Sequence, residues 1–174
     1  MILGNTSKDC FRQIKTAIQG KIAALPGDRK TYTRMRYADN LNQWLEIAAV
    51  VIEDESRLQV VFIYLADFST ARKESRMNSV TATYAIEVVY QFREGDDLDN
   101  STQTFEDALG DINDLFLDEE ALGFADFNGN PVLNLPLTGE PGDGGARPQY
   151  VDGVLAHRKI LNLEVTFRLC KNGG

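Results

Sequence analysis

The residues of this chain that can take part in bond-making chemistry are few: one histidine, two cysteines and a scatter of carboxylates. Nucleophilic catalysis by a Ser–His or Cys–His pair must pass through His157, the only imidazole. No Gly-x-Ser-x-Gly turn is present. His157 stands beside Arg158 and Lys159 at the start of a strand pattern, where a solvated strand-end residue is the simpler reading. One His and two distant Cys do not make a zinc site. The run Asp96-Asp97-Leu98-Asp99-Asn100 lacks the ligand spacing, central glycine and closing glutamate of an EF-hand loop. It reads instead as a turn that caps the next helix, whose dipole favours negative charge at that end. Asp118, Glu119 and Glu120 follow the same helix. The glycine-rich loop from Gly139 to Gly145 has no Gly-Lys-Ser/Thr ending and no strand–helix frame, so a flexible arm is preferred to a phosphate cradle. No metal or cofactor is implied, and the residues favour an interaction protein over an enzyme. A small hydrolase working through a carboxylate pair that includes Asp97 or Asp99 is the enzymatic alternative.

The elements that must position these residues show as periodicities. Phe11, Ile14, Ile18, Ile22 and Leu25 recur at helical spacing, with Thr6 or Ser7 as the cap and Pro26-Gly27 as the stop. Lys8, Arg12, Lys15 and Lys21 occupy the polar face. A short helix is expected from about Asn40 to Ala48, leading toward a strand. The run from Leu58 to Leu65 is nearly all apolar, as in a strand buried on both faces. Val80, Ala82, Tyr84, Ile86, Val88, Tyr90 and Phe92 alternate with mostly polar residues, which puts one strand face on a core. On the other face, Glu87 reads as solvated, with a subunit interface as its alternative role. A second helix begins near Ser101, with Phe105, Leu109, Ile112 and Leu115/Phe116 as its stripe. Leu161, Leu163, Val165, Phe167 and Leu169 mark a last alternating strand. Between them, Gly123 to Gly153 is rich in turn residues and contains one short apolar stretch, Val132 to Leu137. Its part from about 138 to 153 is expected to project as a loop or arm.

This order predicts a single α+β domain over 1–174, an antiparallel or mixed sheet packed against two main helices on one face, with a long Gly-rich loop or arm. At 174 residues and a formal charge of −8, the chain has an ordinary globular composition but too acidic a balance for a general nucleic-acid coat. Clusters at Arg29-Lys30, Arg72-Lys73 and Arg158-Lys159 lack interleaved aromatics and read as solvated loops or subunit salt bridges. Cys10 and Cys170 are expected to be free thiols in a reducing cytosol. No signal-peptide pattern and no membrane-length apolar run is present, so a soluble protein with no membrane partner is expected.

Several short motifs in order carry a resemblance. The N-terminal helix ends in Leu25-Pro26-Gly27, and a Tyr32-Thr-Arg-Met-Arg-Tyr37 stretch leads into Leu41-Asn-Gln-Trp-Leu45. The alternating strand Val80 to Phe92, one helix from Ser101 to Leu117, and a closing strand from Leu161 to Leu169 follow. In this order and spacing the chain resembles the tail terminator (tail completion) proteins of tailed bacteriophages; its long glycine-rich insertion departs from them. The resemblance implies a virion protein, assembled in the host cytoplasm, that forms a homo-hexameric ring at the neck end of the tail. It implies the tail tube protein and a neck connector or stopper as partners, with the tail sheath a further candidate. The resemblance also implies that DNA passes through the lumen without specific binding. A connector or stopper subunit of the neck is the alternative within the same class. For the subunit interface the candidates are Gly139, Glu140, Pro141, Gly142, Asp143, Arg147, Glu87 and Arg158; for charge lining the lumen they are Asp96, Asp97 and Asp99. Six chains at −8 carry about −48, which repels passing phosphates where it faces the channel.

Overall fold

The computed structural model describes residues 1–27, 29–32, 59–74, 77–92, 95, 97–139, 148–151 and 154–170. The expected short helix from about Asn40 to Ala48 lies outside them, as do Asp96 and residues 140–147.

Helix α1 spans Ser7–Ala23 and starts where the sequence places a cap. The Thr6 hydroxyl accepts the Asp9 N–H at 3.2 Å and donates to the Asp9 carboxylate at 2.7 Å, so two polar groups of the first turn satisfy each other. A Cβ on Gly4 would lie 2.7 Å from the Asp9 Cβ, so glycine is needed for the chain to approach this turn. Cys10, Ile14, Ile18 and Ile22 are wholly buried at spacings of four; the predicted stripe holds at its three isoleucines, while its ends, Phe11 and Leu25, are half-buried and Cys10 takes a place in it that the periodicity does not assign.

Seven strands among the described residues form one sheet: β1 (Arg29–Tyr32), β2 (Gln59–Glu74), β3 (Met77–Gln91), β4 (Leu133–Asn134), β5 (Thr138–Gly139), β6 (Gln149–Val151) and β7 (Val154–Cys170). β1 runs parallel to β2, and every other pairing is antiparallel, so the sheet is mixed. β3 is central. It pairs with β2 on one side and with β7 on the other, from Met77↔Cys170 to Gln91↔Ala156 without interruption. β2 extends nine residues past the expected end at Leu65. A register shift between Leu65 and Asp67 separates its buried half from an exposed half, which hides the second part from any apolar count.

Helix α2 spans Leu98–Asp114, one turn earlier than the apolar stripe indicates. Its first three residues are exposed and lie outside the apolar stripe, Leu98 included; the start is set by Asp97, whose carboxylate accepts the Asp99 N–H at 3.0 Å. Phe105, Ala108, Ile112 and then Phe116 are buried. Both helices cover the same face of the sheet, where their stripes meet Val61, Ile63, Tyr84, Ile86, Leu163 and Val165 in one core. Tyr84 crosses this core and its hydroxyl donates to the Phe11 carbonyl at 3.3 Å, tying β3 to α1. The α+β architecture with two helices on one face is the fold that the order of elements predicts.

Two expectations are corrected. Within the part expected to project from 138 to 153, residues 138–139 and 149–151 form β5 and β6, which, like β4, pair along the outer edge of β7, and Val132 before them is wholly buried. These strands are two or three residues long, below the length at which alternation can be read, and they shield an edge that would otherwise recruit other strands. The Asp126 carboxylate organises the turn before β4, accepting the N–H groups of Asn128 and Asn130 at 2.9 Å each, with Gly129 at φ 81°. The second correction concerns the other face of β3. Ser79, Thr81 and Thr83 are half-buried there, but Ala85, Glu87 and Val89 are buried, together with Val60, Phe62 and Ile160 of the neighbouring strands. The sheet is therefore buried on both faces at one end.

Cys10 is free, buried, and donates to the Gly4 carbonyl at 3.1 Å. Burial, with the Asp9 carboxylate beside it, pushes its thiol up to about 11. A group held protonated in the fold loses its stabilising contribution as pH rises above its unfolded value of 9.0 toward 11. A Cys170→Ser chain, with Cys10 as its one thiol, should resist iodoacetamide at pH 8 while folded and react fully in urea. Cys10→Ala should flatten the loss of stability between pH 9 and 11; an unchanged slope in urea titrations would contradict the assignment.

Candidate interaction surfaces

β7 positions two polar side chains at consecutive places. His157 and Arg158 point to opposite faces of the sheet because side chains alternate along a strand. His157 is wholly buried on the helix side. Its Nε2 lies 2.7 Å from the Ser101 hydroxyl of α2, and its ring lies between Phe105 and Tyr90, 5.3 Å and 6.2 Å away, with Phe92 at its edge. The expectation of a solvated strand-end residue is therefore wrong. Of the two cations that suggested solvent, Arg158 belongs to the opposite face of the strand, and the aromatic enclosure comes from residues 52 to 67 positions away. Ser101 and His157 have the spacing of a nucleophile and its base. Both are buried, at 2% and 0% exposure, and their contact ties α2 to β7.

Arg158 points the other way and donates from Nε to the Glu87 carboxylate at 2.7 Å. Glu87 is 2% exposed, so its reading as a solvated residue is corrected. A carboxylate is tolerated at this depth because a guanidinium meets it. The two residues named for a subunit interface are thus joined within one chain.

The remaining candidates separate. Asp97 and Asp99 are exposed at the start of α2, where Asp97 also accepts the Asn100 side-chain amide at 3.1 Å. Gly139 pairs with Leu161 in β5 and lies against Lys159, so it belongs to the sheet and not to a projecting arm. Asp96, Glu140, Pro141, Gly142, Asp143 and Arg147 fall outside the described residues.

A surface feature that sequence reasoning missed lies on α1. Lys8, Phe11, Arg12 and Lys15 form with Leu65 of β2 a cleft of about 470 Å³. Phe11 forms its apolar wall and is held by Phe68, 5.2 Å away and 55% exposed, and by Phe167 at 6.0 Å. Among the described residues no ion pair involves Lys8, Arg12 or Lys15. The basic stripe was readable, but its apolar partners come from a strand more than fifty positions away. Residues 97–120 carry the opposite charge: nine exposed carboxylates and no Lys or Arg. Among the described residues no group of three or more His, Cys, Asp or Glu side chains converges to hold a metal ion, and no helix is long and apolar enough to cross a membrane. No protein-family model matches the chain, and no curated protein does.

Truncating Arg158 to Ala leaves the Glu87 carboxylate buried with its guanidinium gone and should cost roughly 3 kcal/mol. Ser101→Ala, which removes one buried hydrogen-bond partner of His157, should cost about 1–2 kcal/mol. Urea unfolding of the two variants checks both the sizes and the order.

Proposed function

We propose that this chain is a structural subunit that repeats around an axis, forming a ring at the neck-proximal end of a phage tail. There it ends tail-tube polymerisation and joins tail to neck. The observation that supports repetition is the segregation of charge within one chain: α1 carries four cations and one acid, whereas residues 97–120 carry only acids. A closed ring needs two different and mutually complementary patches on every subunit, and surfaces of opposite sign meet that need. The placement in a tail rests on the resemblance in the order and spacing of the sequence motifs.

In this reading the chain works by contact and not by catalysis. Its partners are further copies of itself, the tail tube protein and the neck connector, with the tail sheath as a further candidate. Asp97 and Asp99, exposed at the start of α2, supply charge of the sign that keeps passing DNA from adhering.

Size-exclusion chromatography with light scattering, run on the chain alone and with tail tube protein, tests the proposal. A hexamer, free or assembled on the tube, is the expected result. A chain that stays monomeric in both settings at every concentration refutes it. Capture of a portal-side connector in place of the tube would move the chain to the neck, as a connector or stopper subunit.

A further inference from the structure

The cleft on α1 has a counterpart on the opposite side of the charge balance. After α2 ends, Leu117 is 59% exposed, with Asp114, Asp118, Glu119 and Glu120 exposed around it in sequence. This turn is firmly held. Asn134 of β4 is buried, and its side-chain amide donates to the carbonyls of Phe116 and Asp118 at 3.2 Å and 3.1 Å. The Asn134 N–H donates to the Glu119 carbonyl at 2.8 Å, and the Asp118 carboxylate accepts the Glu120 N–H at 3.0 Å. An exposed leucine is ordinary by itself. A leucine presented on a turn whose carbonyls are clamped from below, among four carboxylates, is a prepared contact, because little conformational entropy remains to be lost on binding.

We infer that the Leu117 turn of one copy docks into the Lys8–Phe11–Arg12–Lys15–Leu65 cleft of the next, as the head-to-tail contact of the assembly. The inference rests on the ring reading and names its interface. The occupant follows from complementarity of two kinds at once. The cleft is apolar in the middle, with Phe11 and Leu65, and cationic around it; the turn is apolar at Leu117 and anionic around it. The cations make no ion pair among the described residues, and they belong to a chain whose net charge is −8, so an acidic surface of the same chain is the matching partner at high local concentration. The two patches differ, so the contact is heterologous, and repeating it generates a ring when the rotation closes.

Charge-swap variants of the full chain test this by sedimentation velocity. One variant carries Lys8→Glu, Arg12→Glu and Lys15→Glu; the other carries Asp114→Lys, Glu119→Lys and Glu120→Lys. Asp118 is kept because its carboxylate closes the turn. Each variant alone should self-associate at least about tenfold more weakly than the wild type in roughly 50 mM salt. An equimolar mixture should recover association, because each interface then joins opposite charges again. Leu117→Ser should weaken assembly with an unchanged circular dichroism spectrum, which separates loss of contact from loss of fold. Wild-type oligomers that persist undiminished in either charge variant overturn this interface and leave the ring standing. Failure of the mixture to recover association also overturns it. A wild type that is monomeric up to about 1 mM overturns the interface too, and the assembly with tail tube protein described above then judges the ring separately.

Discussion

The register of β7 against β3 is the constraint on which the other features depend. Side chains alternate between faces, so sliding β7 by one residue would exchange every inward and outward position. His157 and Arg158 make such a slip costly. In the observed register the imidazole lies among Tyr90, Phe92 and Phe105 with Ser101 at its Nε2, and the guanidinium meets a buried Glu87. A shift by one place would put a guanidinium among aromatic rings and leave the Glu87 carboxylate without it. The fifteen-residue ladder from Met77 to Gln91 is therefore specified chemically at one end as well as by its apolar alternation.

That ladder builds outward in both directions. On the far side of β3, β2 adds a long arm whose bulge after Leu65 releases its second half to the surface and leaves Phe68 against Phe11. On the far side of β7, three short strands close the edge, and one of them carries Asn134, which holds the turn that follows α2. The cleft and the Leu117 turn are thus consequences of events at opposite margins of one sheet. Neither is formed by a single segment of chain.

The charge of −8 acquires a spatial meaning through this arrangement. Averaged over the chain it describes only solubility and the exclusion of a nucleic-acid coat. Resolved onto elements, it divides into a basic α1 and an acidic α2 with its following turn, both on the same face of the sheet. In the proposed ring, surfaces of opposite sign on one chain meet those of the next copy. The division of charge supports an account of the protein as a repeating structural unit, in which Ser101, His157, Glu87 and Arg158 hold the subunit together and the helix surfaces face outward.

Periodicity in the sequence was sufficient for the long elements. The Phe11–Leu25 stripe, the Val80–Phe92 alternation and the Leu161–Leu169 strand are each set by apolar side chains recurring at the spacing of their own backbone, a property local to the segment. The α+β class follows from their order. Short or polar elements escaped this reading: β4, β5 and β6 span two or three residues, and the first three residues of α2 are exposed. The environments of single polar residues escaped it as well. Nothing beside His157 or Glu87 in the chain announces burial, because Phe105, Ser101 and Arg158 reach them only through tertiary pairing. The cleft on α1 belongs to the same class. Its cations are visible along one helix face, but Leu65 and Phe68 complete it across the sheet, and contacts between distant segments are fixed by packing and register, not by local pattern.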